Sequence, residues 1–134
     1  MSSNENGLIT IHSRNSVKTT VDGLQQHLKA AGVTVFALID HSAGANSVGM
    51  PLRPTQVLIF GNPKAGTPLM QENQTVGIDL PLKILVWEDA SGAVSITYDD
   101  PKWIAERHNL GTGSEAVVKA MSEALAKLAQ AAAE

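Results

Sequence analysis

Three segments of this chain are apolar at nearly every position: VTVFALID (33–40), TQVLIFG (55–61) and LKILVWED (82–89). Each reads as a strand. Successive side chains of a strand point to opposite faces, so a strand that is apolar throughout needs cover on both. In the first segment Val33, Val35, Ala37 and Ile39 share one face, and Phe36 and Leu38 the other. In the next two, Val57 and Ile59 oppose Leu58 and Phe60, while Ile84 and Val86 oppose Leu85 and Trp87. The rest of the sequence has to supply that double cover.

It supplies two long helices. Val17, Val21, Leu24, Leu28 and Ala31 recur at spacings of 4, 3, 4 and 3, one stripe of an amphipathic helix. Ser16 is placed as its N-cap and Gly32 as its stop at C′. A second stripe, Val117, Met121, Ala124, Leu125 and Leu128, follows a T-x-x-E capping box from Thr112 to Glu115. Two further strands are LITIHS (8–13), with Ile9 and Ile11 opposite Thr10 and His12, and AVSITYD (93–99), which alternates strictly. The intervening ASG predicts a hairpin between the last two strands. Short helices are expected over 67–73, with Pro68 in the first turn, and from Asp100–Pro101 to Arg107. HSAGANSVGMPLRP reads as a long loop or a short helical turn.

The order is β-α-β-β-β-β-α, an α+β fold: one mostly antiparallel sheet, two long helices on one face and short helical insertions. No internal repeat is visible. Two helices cover only one face, so the other must meet a second chain, a ligand or the inserted loops, and a homodimer is the first expectation.

The 134 residues suffice for one domain, expected over 8–134 after a frayed polar stretch, 1–7. A net charge of −3, with only ten basic residues spread along the chain, argues against nucleic acid as a partner. The absence of cysteine excludes disulfides, thiolate nucleophiles and zinc–thiolate sites. The sequence shows neither a signal peptide nor an apolar run near the ~20 residues of a membrane span. A cytoplasmic location without a membrane partner is the expectation.

Chemistry gathers in LRPTQVLIFGNPKAGTPLM (52–70). Gly61 and Gly66 have the separation of a nucleotide phosphate loop, but Thr67 stands where that loop needs lysine, and Lys64 falls inside it. Such loops also belong to parallel βαβ units, so a nucleotide triphosphatase is rejected. A weaker anion site remains open. Backbone amides near Gly66–Thr67 at a helix start, with Lys64 beside them and Arg53 as a bidentate partner, would hold a carboxylate or phosphate. Alternatively, Gly61 and Gly66 supply unusual backbone angles while Pro63 and Pro68 stiffen the loop.

Asp40–His41 is the second candidate, as an acid–base pair or as helix or loop capping by Asp40. Strand neighbours point to opposite faces, so Asp40 would not orient the His41 ring. Ser42 beside it makes no triad. His12, His27, His41 and His108 lack metal-ligand spacing, so no metal is assigned, although His12 and His41 remain free to meet in space or across a dimer axis. The sequence implies no particular cofactor. Trp87 and Trp103 read as core or interface residues.

The stretches LRPTQVLIFGNPKAGTPLM and DLPLKILVWED, with IDHSAGA before them, resemble a bacterial family called domain of unknown function 302, from about residue 8 to residue 110. The resemblance implies a β-α-β4-α fold of the TATA-box-binding-protein-like class and dimeric members, and it implies no activity. Three function classes follow. The first is a homodimeric module binding a small anion or metabolite through Asp40, His41, Arg53, Lys64, Gly66 and Thr67. The second is an enzyme using Asp40 or His41 as acid or base, with Arg53 holding substrate. The third is a structural or interaction protein that docks a partner chain on its apolar sheet face, with Phe36→Asp or Phe60→Asp expected to break assembly.

Overall fold

The computed structural model describes residues 6–134, so most of the stretch expected to fray lies outside the described residues. Gly7 is buried: its carbonyl accepts a 2.7 Å bond from Asp100 N, and with φ +81° it lies so close to Trp103 that a Cβ there would stand 2.3 Å from the indole.

Local signals build the first half of the fold. Strand β1 (Leu8–Ser13) ends beside helix α1 (Val17–Ala30), where Ser13 and Thr20 share a buried 2.7 Å hydroxyl bond. Ser16 caps α1 by accepting from Thr19 N, and Gly32, at φ +72°, follows its C-cap as the sequence predicts. Strands β2 (Thr34–Asp40), β3 (Thr55–Gly61), β4 (Leu82–Glu88) and β5 (Val94–Asp99) complete one sheet. Its order is β1-β5-β4-β3-β2, and each neighbouring pair is antiparallel.

Helices α1 and α5 (Glu115–Ala133) cover one face. Val21, Leu24 and Leu28 of α1 pack with Leu125 and Ala129 of α5 over Leu58, Phe60, Ile84, Val86 and Ile96. Each such large side chain contributes about 1.5–3 kcal/mol when taken fully out of water. The two helices approach closely because Gly23 meets the Ala-rich end of α5; a Cβ there would sit 3.8 Å from Ala132. The turn after β1 supplies partners for the last carbonyls of α5, through Arg14 N to Ala133 O (2.8 Å) and Asn15 Nδ2 to Ala132 O (3.2 Å).

A second cluster, Leu69, Val76, Ile104, Val118 and Met121, joins the start of α5 to the inserted elements. These are α3 (Pro63–Glu72), a 3-10 turn (Gln74–Ile78) and α4 (Pro101–Arg107). The connection after β2 forms α2 (His41–Ser47).

Four expectations need correction. The helix expected over 67–73 starts at Pro63, because Asn62 caps it and Pro63 takes the first turn, which leaves Pro68 in its interior. The Thr112–Glu115 capping box does not form: Thr112–Ser114 is a 3-10 turn and Ser114 makes no side-chain cap bond. Instead Ser114 Oγ and Gly111 N both donate to the Glu72 carboxylate at the end of α3. Strand β2 carries a bulge between Val35 and Ala37. One extra residue switches every later side chain to the other face, so Val35 and Leu38 pair on the helix side with Phe60 and Leu58, and Ala37 and Ile39 on the open side with Ile59 and Val57. Finally, Phe60 is not an interface residue: at 4% exposure it lies under the helices.

The double-faced patterning of β3 and β4 is present. Val57, Ile59, Leu85 and Trp87 stay partly exposed on the face away from α1 and α5. Trp87 Nε1 donates to Thr97 Oγ1 at 2.9 Å, and Thr97 shares a 2.9 Å hydroxyl bond with Thr10.

Candidate functional site

Strand β3 ends at Gly61, Asn62 turns the chain, and α3 leads away from the sheet. The two hydrophobic clusters meet α5 at adjacent turns, Met121 in one and Leu125 in the other. On the side of α5 toward α3, Ala116, Ala120 and Ala124 recur every fourth position and fill little space. The result is a cavity of about 780 Å³, within the roughly 300–1,000 Å³ common to ligand sites. Phe60 and Leu82 of the sheet, Met121, Leu125 and Leu128 of α5, Leu28 of α1 and Met70 of α3 wall it. Phe36, at the β2 bulge and 55% exposed, stands at its mouth.

Gly61 and Gly66 belong to these walls, and neither takes the positive φ that the sequence leaves open for them. Their role is slimness. A Cβ on Gly61 would already touch Phe36 and Pro81 at 3.4 Å, and one on Gly66 would lie 3.5 Å from Leu80.

The polar lining is sparse: His27, Asn62, Lys64 and Thr67. Asn62 is occupied by folding, its Oδ1 accepting from Lys64 N (3.0 Å) and its carbonyl from Ala65 N (2.9 Å) and Gly66 N (3.1 Å). The Gly66 amide sits within α3 and is bonded there, so it is not a free donor at a helix start. The Lys64 ammonium and the His27 ring make no hydrogen bond or ion pair among the described residues. No described acidic side chain lines the cavity.

Lys64, Gly66 and Thr67 therefore share one cavity, whereas Asp40, His41 and Arg53 lie at the other end of β3, roughly 20 Å away along a seven-residue strand. There Asp40 caps α2 with Oδ1, accepting from Ala43 N (3.0 Å) and Ser42 Oγ (2.8 Å), while Oδ2 takes Gln56 Nε2 at 3.4 Å. The Ala43 amide first and the Ser42 hydroxyl second hold this carboxylate below its ordinary value of 3.8. Ser42 Oγ also accepts from Thr55 N, and Arg53 Nε donates to Glu88 O at 3.3 Å. His41 opens α2 and is exposed. His12 lies on the edge strand β1 and His41 just past the end of the opposite edge strand, β2, so the two do not meet within the chain. Among the described residues no three His, Asp or Glu side chains converge as metal ligands.

His108 stands at the C-cap of α4 and is buried at 7% exposure, which its place in the sequence does not reveal. Its Nε2 bonds Asp79 Oδ2 at 2.5 Å, its Nδ1 lies 2.9 Å from Thr75 Oγ1, and Arg107 grips both oxygens of Asp79 at 3.0 and 3.1 Å. This network ties α4 to the segment after α3.

With that geometry in place, comparison with known proteins gives the family. Residues 9–128 match the model described as "Domain of unknown function DUF302", and the chain belongs to that family. The crystal structure of an uncharacterized conserved DUF302 protein from Bacillus stearothermophilus superposes with a TM-score of 0.84 at 21% identity, covering 96% of this chain and 98% of that one, which establishes the fold. The chain is also 48% identical over 117 residues to "Fluoride-specific ion channel FluC 1" of Brucella suis biovar 1 (strain 1330), and equally to the protein of that name from Brucella abortus biovar 1 (strain 9-941). The match takes in 87% of this chain but only 46% and 43% of those proteins, so the chain spans less than half their length. No helix among the described residues is long and apolar enough to cross a membrane.

Proposed function

We propose that this domain is a small-ligand-binding module whose ligand occupies the cavity between α1, α3 and α5. The supporting observation is the cavity itself: ligand-sized space with mainly apolar walls and a few polar groups. Lys64, Gly66 and Thr67 of α3 are its contact residues. Asp40, His41 and Arg53 shape the far end of β3 and take no part. Native mass spectrometry of gently purified protein is the test: a discrete extra mass retained by the wild type and lost in Ala120→Phe supports the module, and each chain at its own bare mass counts against it.

The open sheet face supports a second element of the proposal, a homodimer through Val57, Ile59, Leu85 and Trp87. Light scattering should give a dimer for the wild type and a folded monomer for Leu85→Asp. A wild-type monomer at high concentration would contradict it. For the Brucella relatives, we infer that the stretch corresponding to this chain is a ligand-responsive companion to the part that crosses the membrane. Deleting that stretch should leave the remainder membrane-inserted; loss of insertion would overturn the assignment.

A further inference from the structure

The charge around the cavity points to the kind of ligand, an inference that rests on the cavity reading above. The chain carries 13 acidic against ten basic residues, yet no described acidic side chain lines the cavity. Two basic ones do, Lys64 from α3 and His27 from the last turns of α1, and neither has a partner among the described residues. Some other helix-borne bases pair, Lys18 with Asp22 and Arg107 with Asp79, while Lys29, Lys102 and Lys127 form no ion pair among the described residues; what sets Lys64 and His27 apart is that they line the cavity. Both lining groups are exposed, which places them at the mouth with the apolar walls behind.

We propose that the cavity takes an amphipathic organic anion: an apolar body along Phe60, Leu82, Leu125 and Leu128, with a carboxylate or phosphate head at the mouth between Lys64 and His27. The arrangement suits such a molecule on physical grounds. An alkyl body gains by leaving water, while a charged head fully buried would lose far more than it gains. At the mouth the head keeps part of its hydration and adds a charge-assisted bond to the Lys64 ammonium. A cationic head would meet two basic groups and no acid, so the same mouth selects against amines.

Calorimetric titration of the whole chain with octanoate, octyl phosphate, octanol and octylamine separates body from head. Both anions are expected to bind more tightly than octanol and octylamine most weakly, and the tighter anion identifies the head. Lys64→Ala should weaken the anions by up to about fivefold, the scale of one exposed ion pair, and leave octanol unchanged. Ala120→Phe, which fills the cavity from an exposed helix position, should abolish binding of all four. Equal affinity for octanol and octanoate would overturn the anionic class and leave the cavity intact. No binding by any probe, or binding that survives Ala120→Phe, would overturn the cavity reading itself.

Discussion

The two ends of β3 start from similar sequence material and end differently. Each has a basic residue, a turn and an adjoining helix. At the Asp40 end the polar groups bond one another: Asp40 takes Ala43, Ser42 and Gln56, Ser42 takes Thr55, and Arg53 reaches the Glu88 carbonyl. At the Lys64 end only Asn62 is used in this way, and the remaining residues line the apolar cavity. The difference is one of side-chain size. Gly61, Gly66, Ala116, Ala120 and Ala124 are too small to close the gap between α3, α5 and the sheet. Residue types associated with catalysis are consumed in holding α2 and β3, while residues without chemistry of their own create the space for a ligand.

That contrast is open to attack by substitution. The largest effect belongs to Phe60→Ala, which removes a side chain serving both the core and the cavity wall; urea unfolding should show a loss of about 3–5 kcal/mol. Next comes Ala120→Phe. With free octanoate about 100-fold above its Kd the wild type should gain about 2.7 kcal/mol of stability, and this variant none, as read from thermal melts. A smaller effect is expected at the other end, from Asp40. Its folded pKa lies below the ordinary value of 3.8, so the unfolded chain binds the proton more readily. The stabilisation is present above the ordinary value and is lost as pH falls through the folded one. Asp40→Asn should therefore flatten the acid limb of a stability–pH curve below about pH 4 and leave octanoate affinity unchanged. The smallest effect is for Arg53→Ala, with stability within about 0.5 kcal/mol of wild type and unaltered binding; a tenfold weaker affinity would join the two ends into one site.

What was legible in the sequence follows from how local each signal is. Ser16 and Gly32 bound α1 through bonds and angles within a few residues, and both read correctly. The hairpin does as well, since Asp89 and Gly92 close it on themselves. The double-faced pattern of β3 and β4 survives because register preserves alternation. The bulge at Phe36 carries no local mark, and it alone moves Leu38 to the helix side. Asn62–Pro63 and Thr67–Pro68 both resemble helix starts, and the Asn62 side-chain cap on Lys64 N sets the start at the first. The cavity proposed as the site was half visible. Lys64, Gly66 and Thr67 stand out as a loop, but the opposite wall comes from α5, some fifty positions later. The four-residue spacing of Ala116, Ala120 and Ala124 was the available signal for it. The Asp79–His108 bond joins residues 29 apart, which no spacing rule reaches.

The most direct test of the central claim is an amide NMR spectrum of the isotopically labelled chain with and without octanoate. The account predicts shifts concentrated at Gly61, Gly66, Ala120 and Ala124, with Ala43, Thr55 and Gln56 unmoved. Shifts centred on the Asp40–Thr55 end, or none anywhere at saturating octanoate, would contradict it.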